Sequence, residues 1–326
     1  MVHGAYPDAV KIDMANSTSQ REFIGVSRLG LFLALSRTPH GLLDMTTPCL
    51  AALLWLGAFP PLKVVLVGLL TVFAGYSAVY ALNDLIDYRS DKKKMEEGLF
   101  QDSDSYLDAA IVRHPLAQGL LSLKEGLGWT LAWSLVAVTG AFILNPVCVF
   151  VFLSGCLLEI IYCLMWRLSW TRSIVSGGVK TSGAIAAVFA VDPEPSFGIL
   201  VALFLWLFFW EIGGQNIPND WEDLEGDKHL QAKTIPVRFG PDLSVVFITG
   251  SLLMALAMNA VLLWLTPFGL QWPFLSACLI AGVYLLIVPA YRLCRTRDRV
   301  NAINLFNRAS YYPLALLVVT AIQCLL

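Results

Sequence analysis

Residues 83–91 form an acidic run at the end of a long apolar segment, and they read Asn83-Asp84-Leu85-Ile86-Asp87-Tyr88-Arg89-Ser90-Asp91. Asn83, Asp87 and Asp91 are spaced four apart, and on an α-helix steps of four drift by only about 40°. Their side chains are therefore expected on one face, stacked about 6 Å apart. Carboxylates this close at the end of an apolar segment repel one another unless a cation neutralises them. Such a site suits Mg²⁺, which binds a few carboxylates together with phosphate oxygens.

A second acidic run, Asn219 to Asp227, repeats this geometry more than a hundred residues later with Asp223 and Asp227. Its flanking acids are Asp220, Glu222 and Glu225. Two such runs facing each other would bind a metal–diphosphate complex. The alternative for either run alone is a solvated acidic helix end, and the presence of two runs, each at the exit of a long apolar helix, weakens that alternative.

The composition indicates an integral membrane protein. Of the 326 residues, 57% are hydrophobic and only 14% are charged, and the mean hydropathy is +0.68. A soluble domain carries about 25% charged residues. The net charge of −2 by itself predicts nothing about nucleic acid, but the sequence has no basic stripe to track a phosphate backbone, so no nucleic-acid partner is expected. The seven cysteines lie almost all in apolar stretches without a CxxC pair and are interpreted as small buried hydrophobes, and no obligate protein partner is evident.

The hydropathy pattern predicts an all-α integral membrane fold with nine transmembrane helices. We expect these helices to surround a central cavity capped by cytoplasmic loops. Each predicted span is near the roughly 20 residues that a bilayer requires. The spans are 33–58, 63–86, 126–144, 147–165, 174–191, 197–217, 243–265, 273–291 and 306–325. Residues 1–27 are predicted to be a cytoplasmic N-terminal tail and residues 28–326 the transmembrane domain.

The loops alternate in charge, and this alternation predicts the orientation. Short loops such as Pro60-Pro61 and Asn145-Pro146 are nearly free of Lys and Arg, whereas the other loops carry the basic residues. The positive-inside rule then puts the N-terminus and both acidic runs on the cytoplasmic side. We expect a multi-pass protein of the cell inner membrane.

The motifs resemble those of the UbiA superfamily of intramembrane prenyltransferases. Asn83, Asp87 and Asp91 match its Asn-x-x-x-Asp-x-x-x-Asp motif, and Asp223 and Asp227 match its Asp-x-x-x-Asp motif. The segment from Asn219 to Asp227, continuing to Gly240, looks most like the chlorophyll-synthase and archaeal-lipid branches. The run from His114 to Gly119 resembles an Arg-Pro-Leu-x-Ser-Gly element, with His114 in place of the Arg. A polar insert around Gln101 to Asp108 lengthens the loop before it.

This resemblance implies a Mg²⁺-dependent transfer of a polyprenyl group from an allylic diphosphate to an aromatic or lipid-pathway acceptor. It implies that the metal ligands are Asp87, Asp91, Asp223 and Asp227. The predicted catalytic residues are Asn83, Asp84, Tyr162 and Asp220. The predicted substrate-binding residues are Arg37, Arg113, His114, Arg167, Arg172, Lys180 and Lys233. Their expected ligands are the isoprenyl diphosphate donor and the hydrophobic or aromatic acceptor, in contact with membrane lipid.

Some of these residues lie inside apolar spans, where an ionisable residue is a functional hypothesis by default. For Arg37 the alternative is snorkelling to the interface, and for Lys180 it is packing against a neighbour. Glu159 and Glu211 are also acids in apolar segments, and Glu211 is expected to line the cavity.

The sequence is also compatible with two other functions. One is a phosphoribosyl-type transferase that acts on polyprenyl phosphate with the same fold. The other is a transporter, although transporters place their ionisable residues near the bilayer midplane at broken helices. Here the two acidic runs lie at helix exits, which favours the prenyltransferase.

Overall fold

The structure is a computed structural model that describes residues 26–99, 107, 110–269 and 271–326. The predicted N-terminal tail lies outside the described residues except for its last two positions. The insert from Gln101 to Asp108 also lies outside them, apart from Leu107. All regular elements in the described part of the chain are helices.

The first predicted span, 33–58, is three short helices rather than one. They are α1 (Arg28–Leu35), α2 (Thr38–Asp44) and α3 (Thr46–Leu56). A proline in a helix clashes with the carbonyl group four residues earlier. Pro39 therefore accounts for the end of α1 at Leu35, and Pro48 for the end of α2 at Asp44. Arg37, between α1 and α2, has a positive φ of 44°.

The remaining elements are longer and mostly span-length. In chain order they are α4 (Leu62–Glu96), α5 (Leu123–Leu144), α6 (Pro146–Leu164), α7 (Arg172–Val191), α8 (Phe197–Trp210), α9 (Ile217–Glu222), α10 (Leu224–His229), α11 (Ile235–Leu265), α12 (Trp272–Gly282), α13 (Val288–Thr296), α14 (Arg299–Ser310) and α15 (Tyr312–Gln323). A 3₁₀ turn, Met165–Arg167, follows α6. Wide π turns, Glu211–Asn216 and Val283–Ile287, join α8 to α9 and α12 to α13.

The described residues contain eight helical stretches that are long and apolar enough to cross a membrane, so the prediction of nine is not confirmed. They begin with α4 and correspond to the second to ninth predicted spans. Large apolar side chains on them face outward, for example Leu66, Leu135 and Phe150. An apolar exterior of this extent belongs in lipid, and the chain is a multi-pass membrane protein.

The helices enclose a core and leave a cavity beside it. The core is centred on α8 and α11 and contains the fully buried side chains of Trp206, Trp210 and Leu252. Helix α4 packs along α5, α6 packs on α7, and α3 packs against both α7 and α15. The cavity lies among α2, α3, α4, α6 and α7.

The π turn at residues 211–216 places the second acidic run. It precedes Pro218, and the wider turn accommodates the missing backbone donor. Gly213 and Gly214 let it pack closely: a Cβ atom on Gly213 would lie 2.9 Å from the carbonyl oxygen of Ile248, and one on Gly214 would lie 2.9 Å from Ala309 Cβ. The turn is thus held against α11 and α14.

Candidate active site

The two acidic runs line one small polar pocket of about 90 Å³. Helix α4 contributes the first run. The helices α9 and α10, with Asp223 between them, contribute the second. At 1.5 Å per residue, α4 is about 52 Å long, well beyond the roughly 30 Å hydrocarbon core. The acidic end of α4 can therefore extend past the apolar layer while its first half spans it.

The predicted face of α4 is the one that lines this pocket. Asn83, Asp84, Asp87 and Asp91 all contribute to it, and so does Lys94, one turn further along. In the second run, the backbone N–H of Asp227 donates to the carbonyl oxygen of Asp223 (2.9 Å), which keeps both carboxylates on the same side.

Lys94 neutralises the second run. Its Nζ atom donates to Asp223 Oδ2 (3.0 Å) and Asp227 Oδ1 (2.9 Å). Arg113 Nη2 donates to Asp223 Oδ1 (2.9 Å) and also pairs with Glu222 (3.1 Å). Burial alone would raise the pKa of Asp223, but Lys94 and Arg113 outweigh it and hold that pKa well below its usual range. For Asp227 burial is the stronger effect, and its pKa is raised although Lys94 is adjacent.

His114 pairs with two carboxylates of the first run, Asp84 and Asp91. Its Nδ1 atom lies 3.0 Å from Asp91 Oδ2 and 3.4 Å from Asp84 Oδ1. Burial would lower the pKa of His114, but these two carboxylates raise it to about 9. Ligand atoms of Asp84, Asp91 and His114 all lie within 4.8 Å of one another.

Arg37 forms a contact between the broken first segment and α4. Its Nη2 atom donates to Asn83 Oδ1 (3.0 Å) and Asp84 Oδ1 (3.1 Å). Asn83 in turn donates to Glu159 Oε1 on α6 (2.7 Å). The break between α1 and α2 therefore has a consequence for the site, because it brings the Arg37 guanidinium to the pocket.

Tyr162, Arg172 and Asp220 form the third wall. The Arg172 guanidinium lies 4.0 Å from the centroid of the Tyr162 ring, and its Nη1 atom donates to Asp220 Oδ1 (3.3 Å). Asn216 Nδ2 donates to the Tyr162 hydroxyl (3.0 Å). The buried Oδ2 atom of Asp220 has no hydrogen-bond partner among the described residues. One face of the tyrosine ring is thus covered by a cation.

The polar pocket adjoins a larger apolar cavity of about 520 Å³. Three residues, Arg37, Tyr162 and Asn219, line both spaces. Most of the cavity wall is aliphatic or aromatic, including Val65, Val72, Phe152 and other residues of α3, α4, α6 and α7. A small charged space and a long apolar space therefore meet at one junction.

Three predicted substrate-binding residues lie away from the acidic pocket. Arg167 is exposed in the 3₁₀ turn and stacks on the Trp166 ring at 5.3 Å. Lys233 is exposed in a loop, and its backbone N–H donates to the carbonyl oxygen of Trp166 (2.8 Å). Lys180 lines the apolar cavity rather than the pocket. Arg167 and Lys233 were predicted from their positions in the family pattern. In the structure, the turns after α6 and α10 direct these two side chains outward.

Lys94 and Asp44 were not predicted as site residues. Lys94 follows Asp91 by three residues, so helical spacing was the available signal. However, a lysine at a helix exit is usually solvated, and its partner Asp227 is distant in the sequence. Asp44 was inconspicuous because its partner, Lys180, is on another helix.

Comparison with known proteins identifies the class. The model of the UbiA prenyltransferase family matches residues 45–312, and the chain belongs to that family. It is an integral membrane enzyme, a prenyltransferase. Membership of this family of enzymes decides against the transporter alternative.

Particular relatives agree with this class. The chain is 24% identical over 272 residues to the digeranylgeranylglyceryl phosphate synthase of Thermococcus kodakarensis, covering 83% of this chain and 89% of that protein. It is 28% identical over 217 residues to the 4-hydroxybenzoate octaprenyltransferase of Shewanella denitrificans, covering 64% and 68%. A UbiA homologue from Archaeoglobus fulgidus, solved with GPP and Mg²⁺ bound, shares the fold with a TM-score of 0.63 at 16% identity, covering 89% and 99%.

Proposed function

We propose that this enzyme binds an isoprenyl diphosphate with its diphosphate in the polar pocket and its prenyl tail in the apolar cavity, and that it transfers the prenyl group to a hydrophobic or aromatic acceptor. The observation that carries the proposal is the junction of the two spaces at Arg37, Tyr162 and Asn219. A charged head joined to a long apolar tail matches a small polar pocket that adjoins a larger apolar one.

The chemistry of the donor atoms fits Mg²⁺. The residues that would hold it are Asp87 and Asp91 from α4, with Asp223 and Asp227 from the second run. Their oxygens are hard ligands, and the described residues include no ion-pair partner for Asp87. Bound Mg²⁺ would supply charge neutralisation for the diphosphate leaving group.

Basic side chains of the pocket complete the diphosphate site in this proposal. Arg113, His114 and Arg172 are all within the pocket and provide N–H donors for phosphate oxygens. Lys94 is an additional cation beyond the predicted set. Arg167 and Lys233 are not part of the proposed site.

The proposed reaction breaks the bond between the prenyl C1 atom and the diphosphate oxygen, and both bonding electrons leave with the diphosphate. The acceptor then forms a bond to C1 and releases a proton. The apolar cavity excludes water from the carbocation, and the Tyr162 ring, which lines the cavity, can stabilise it. Asn83 and Asp84 orient the reacting end of the acceptor, and Asp220 takes the proton, since its Oδ2 atom has no hydrogen-bond partner among the described residues.

We further propose that the enzyme lies in the cell inner membrane with both acidic runs facing the cytoplasm. The distribution of Lys and Arg among the loops supports this orientation. It would give the pocket access to a water-soluble diphosphate head from the cytoplasmic side.

The proposal is tested with isosteric variants of the acidic runs. Asp87→Asn and Asp223→Asn each remove one carboxylate charge, and we expect each to lower prenyl transfer by at least about 100-fold. The measurement is transfer of radiolabel from geranyl diphosphate by the full chain in nanodiscs, with Mg²⁺ and with EDTA. Glu225→Gln is the matched control, because Glu225 flanks the same run but its side chain is 69% exposed.

Near wild-type turnover by either aspartate variant would refute the assignment. Diphosphate release from geranyl diphosphate without any sugar donor would separate this function from the phosphoribosyl-type alternative. Equal turnover in Mg²⁺ and EDTA would remove the metal from the proposal.

A further inference from the structure

A second polar cluster lies inside the apolar cavity, away from the acidic pocket. It consists of Asp44, Tyr80, Lys180 and Glu211, and we refer to it as the cavity cluster. Lys180 Nζ donates to Asp44 Oδ2 (2.6 Å) and lies 3.9 Å from Glu211 Oε2. The Tyr80 hydroxyl donates to the same Asp44 oxygen. Three separate helices and a π turn therefore converge on these side chains.

The cavity cluster lies further along the same elements that build the polar pocket. Lys180 is eight residues from Arg172 on α7, which is about 12 Å along a helix. Tyr80 is one turn from Asp84 on α4. The cluster is thus a second polar layer, offset from the diphosphate site toward the interior of the cavity.

A prenyl tail alone does not account for this layer. The tail carries no hydrogen-bonding group, and ionisable side chains along an apolar binding site are unfavourable unless they serve a polar partner. The polar head of the donor is assigned to the other pocket. The remaining polar ligand of a prenyl transfer is the acceptor.

One atom of the cluster lacks a hydrogen-bond partner. Glu211 Oε1 accepts a hydrogen bond from Ser176 (2.6 Å), whereas the buried Oε2 atom has no hydrogen-bond partner within the described parts of the chain. Glu211 is only 7% exposed and lines the cavity. Buried polar atoms are nearly always satisfied, so this oxygen is available to a donor group of a ligand.

The charges around the cavity indicate which donor group fits. In the described chain, the Lys and Arg side chains that line it are Arg37 and Lys180. Arg37 contacts Asn83 and Asp84, and Lys180 contacts Asp44 and Glu211. His40 lies 3.6 Å from Asp44 Oδ1. Counting His40 as a cation together with Lys180 gives two cations for the two carboxylates, Asp44 and Glu211. The cluster therefore has no surplus positive charge.

We propose that the cavity cluster is the subsite for the polar head of the acceptor, and that it selects an uncharged, hydroxyl-bearing acceptor over one that carries a carboxylate. The hydroxyl donates to Glu211 Oε2. An anionic head would instead lie against Glu211, with Glu159 adding a further acid to the cavity wall. This inference rests on the proposed function, because it identifies the class of the second substrate.

Equilibrium binding of two matched probes tests the inference without catalysis. The probes are radiolabelled 2-naphthol and 2-naphthoate, which share the bicyclic ring and differ in the polar group. They are dialysed against the full chain in nanodiscs, with empty nanodiscs as the blank. We expect wild type to bind 2-naphthol at least about tenfold more tightly than 2-naphthoate, and Glu211→Gln to reduce this preference at least about fivefold.

Thr71→Val is the matched control, because Thr71 lines the same cavity but its hydroxyl donates to Val67 of its own helix (2.7 Å). We expect it to leave the probe preference unchanged within about twofold. Lys180→Met is a second variant, and thermal melting shows whether each variant is folded. A folded Lys180→Met variant should bind 2-naphthoate still more weakly, since it removes the positive charge that lies 3.9 Å from Glu211 Oε2.

Stronger binding of 2-naphthoate by wild type would overturn the inference. So would the absence of saturable 2-naphthol binding, or an equal preference in wild type and Glu211→Gln. The measurement uses no donor and no metal, so these failures leave the diphosphate chemistry standing. A failure of the proposed function would appear in the other experiment. Asp87→Asn would then retain prenyl transfer, and the binding preference between the two probes would be unaffected.

Discussion

Lys94 and Asp227 are 133 residues apart in the chain and form a buried ion pair, with Nζ 2.9 Å from Oδ1. The same lysine contacts Asp223, so one side chain of α4 joins the first acidic run to the second. This contact fixes the distance between the runs before any ligand binds. A preorganised pocket requires less rearrangement when a charged substrate arrives.

The first prediction concerns this lysine. Lys94→Met leaves the buried Asp227 carboxylate without its cation, whereas Asp223 keeps Arg113. Breaking a buried pair in this way costs about 3–5 kcal/mol. We expect a lower melting temperature in EDTA, and a larger stabilisation by Mg²⁺ than in wild type, because a divalent cation can substitute for the lost charge. The measurement is thermal melting of the purified chain at several Mg²⁺ concentrations.

Lys92→Met is the control for this experiment. Lys92 lies two residues earlier on the same helix, but its side chain is 48% exposed and faces Glu96 at 3.9 Å. Surface pairs of this kind contribute at most about 1 kcal/mol. An identical melting curve for both variants would contradict the bridging role of Lys94.

The second prediction concerns the two basic residues that lie outside the pocket. Arg167→Ala and Lys233→Ala remove exposed side chains, and the backbone N–H of Lys233 that contacts Trp166 is unaffected. We expect kcat/KM for geranyl diphosphate to stay within about threefold of wild type, because surface substitutions have small effects. A loss of tenfold or more in either variant would place that residue in the substrate site after all.

Helical spacing was enough to predict the face of α4 that lines the pocket. Asn83, Asp87 and Asp91 share a face in any straight helix, and a lysine three residues later must lie near it. The sequence could not show that Lys94 is buried, because that depends on Asp223 and Asp227 arriving from distant helices. Pairings between remote elements are set by tertiary packing, and the spacing of residues in the sequence does not report it.

The first predicted span illustrates a different limit. Its hydropathy is continuous, so residues 33–58 were predicted as one helix, yet α1, α2 and α3 are separate. The signals for the breaks were Pro39 and Pro48, whose rings exclude a continuous helix through Leu35 and Asp44. Hydropathy measures how apolar a segment is, and it does not report whether the backbone can stay helical.

The third prediction tests the position of Arg37 at the junction. Arg37→Ala leaves the buried Asp84 carboxylate without a guanidinium that lies 3.1 Å away. We expect kcat/KM for geranyl diphosphate to fall at least about 30-fold, and Arg37→Lys to recover part of the loss, because it keeps the charge without the planar fork. Steady-state transfer assays on folded variants measure both effects.

Arg28→Ala serves as its control, because Arg28 is on the preceding helix and its side chain is 62% exposed. Equal activity of Arg37→Ala and Arg28→Ala would show that the broken first segment does not contribute to the site.

The last prediction concerns the length of the prenyl tail. Gly68 lines the apolar cavity, and a Cβ atom there would meet nothing within 4 Å, so a larger side chain fits without a clash and fills part of the cavity. Gly68 is 16 residues before Asp84, about 24 Å along α4, and a substitution there should affect only long tails. We expect Gly68→Leu to raise KM for a geranylgeranyl donor about tenfold and to leave KM for geranyl diphosphate nearly unchanged.

Gly128→Leu is the matched control for Gly68→Leu, since Gly128 also has open space but lies on the outer face of α5. The ratio of the two KM values distinguishes a shortened cavity from a general loss of stability, because misfolding would lower activity with both donors alike. An unchanged ratio in Gly68→Leu would mean that the tail does not reach this part of the cavity.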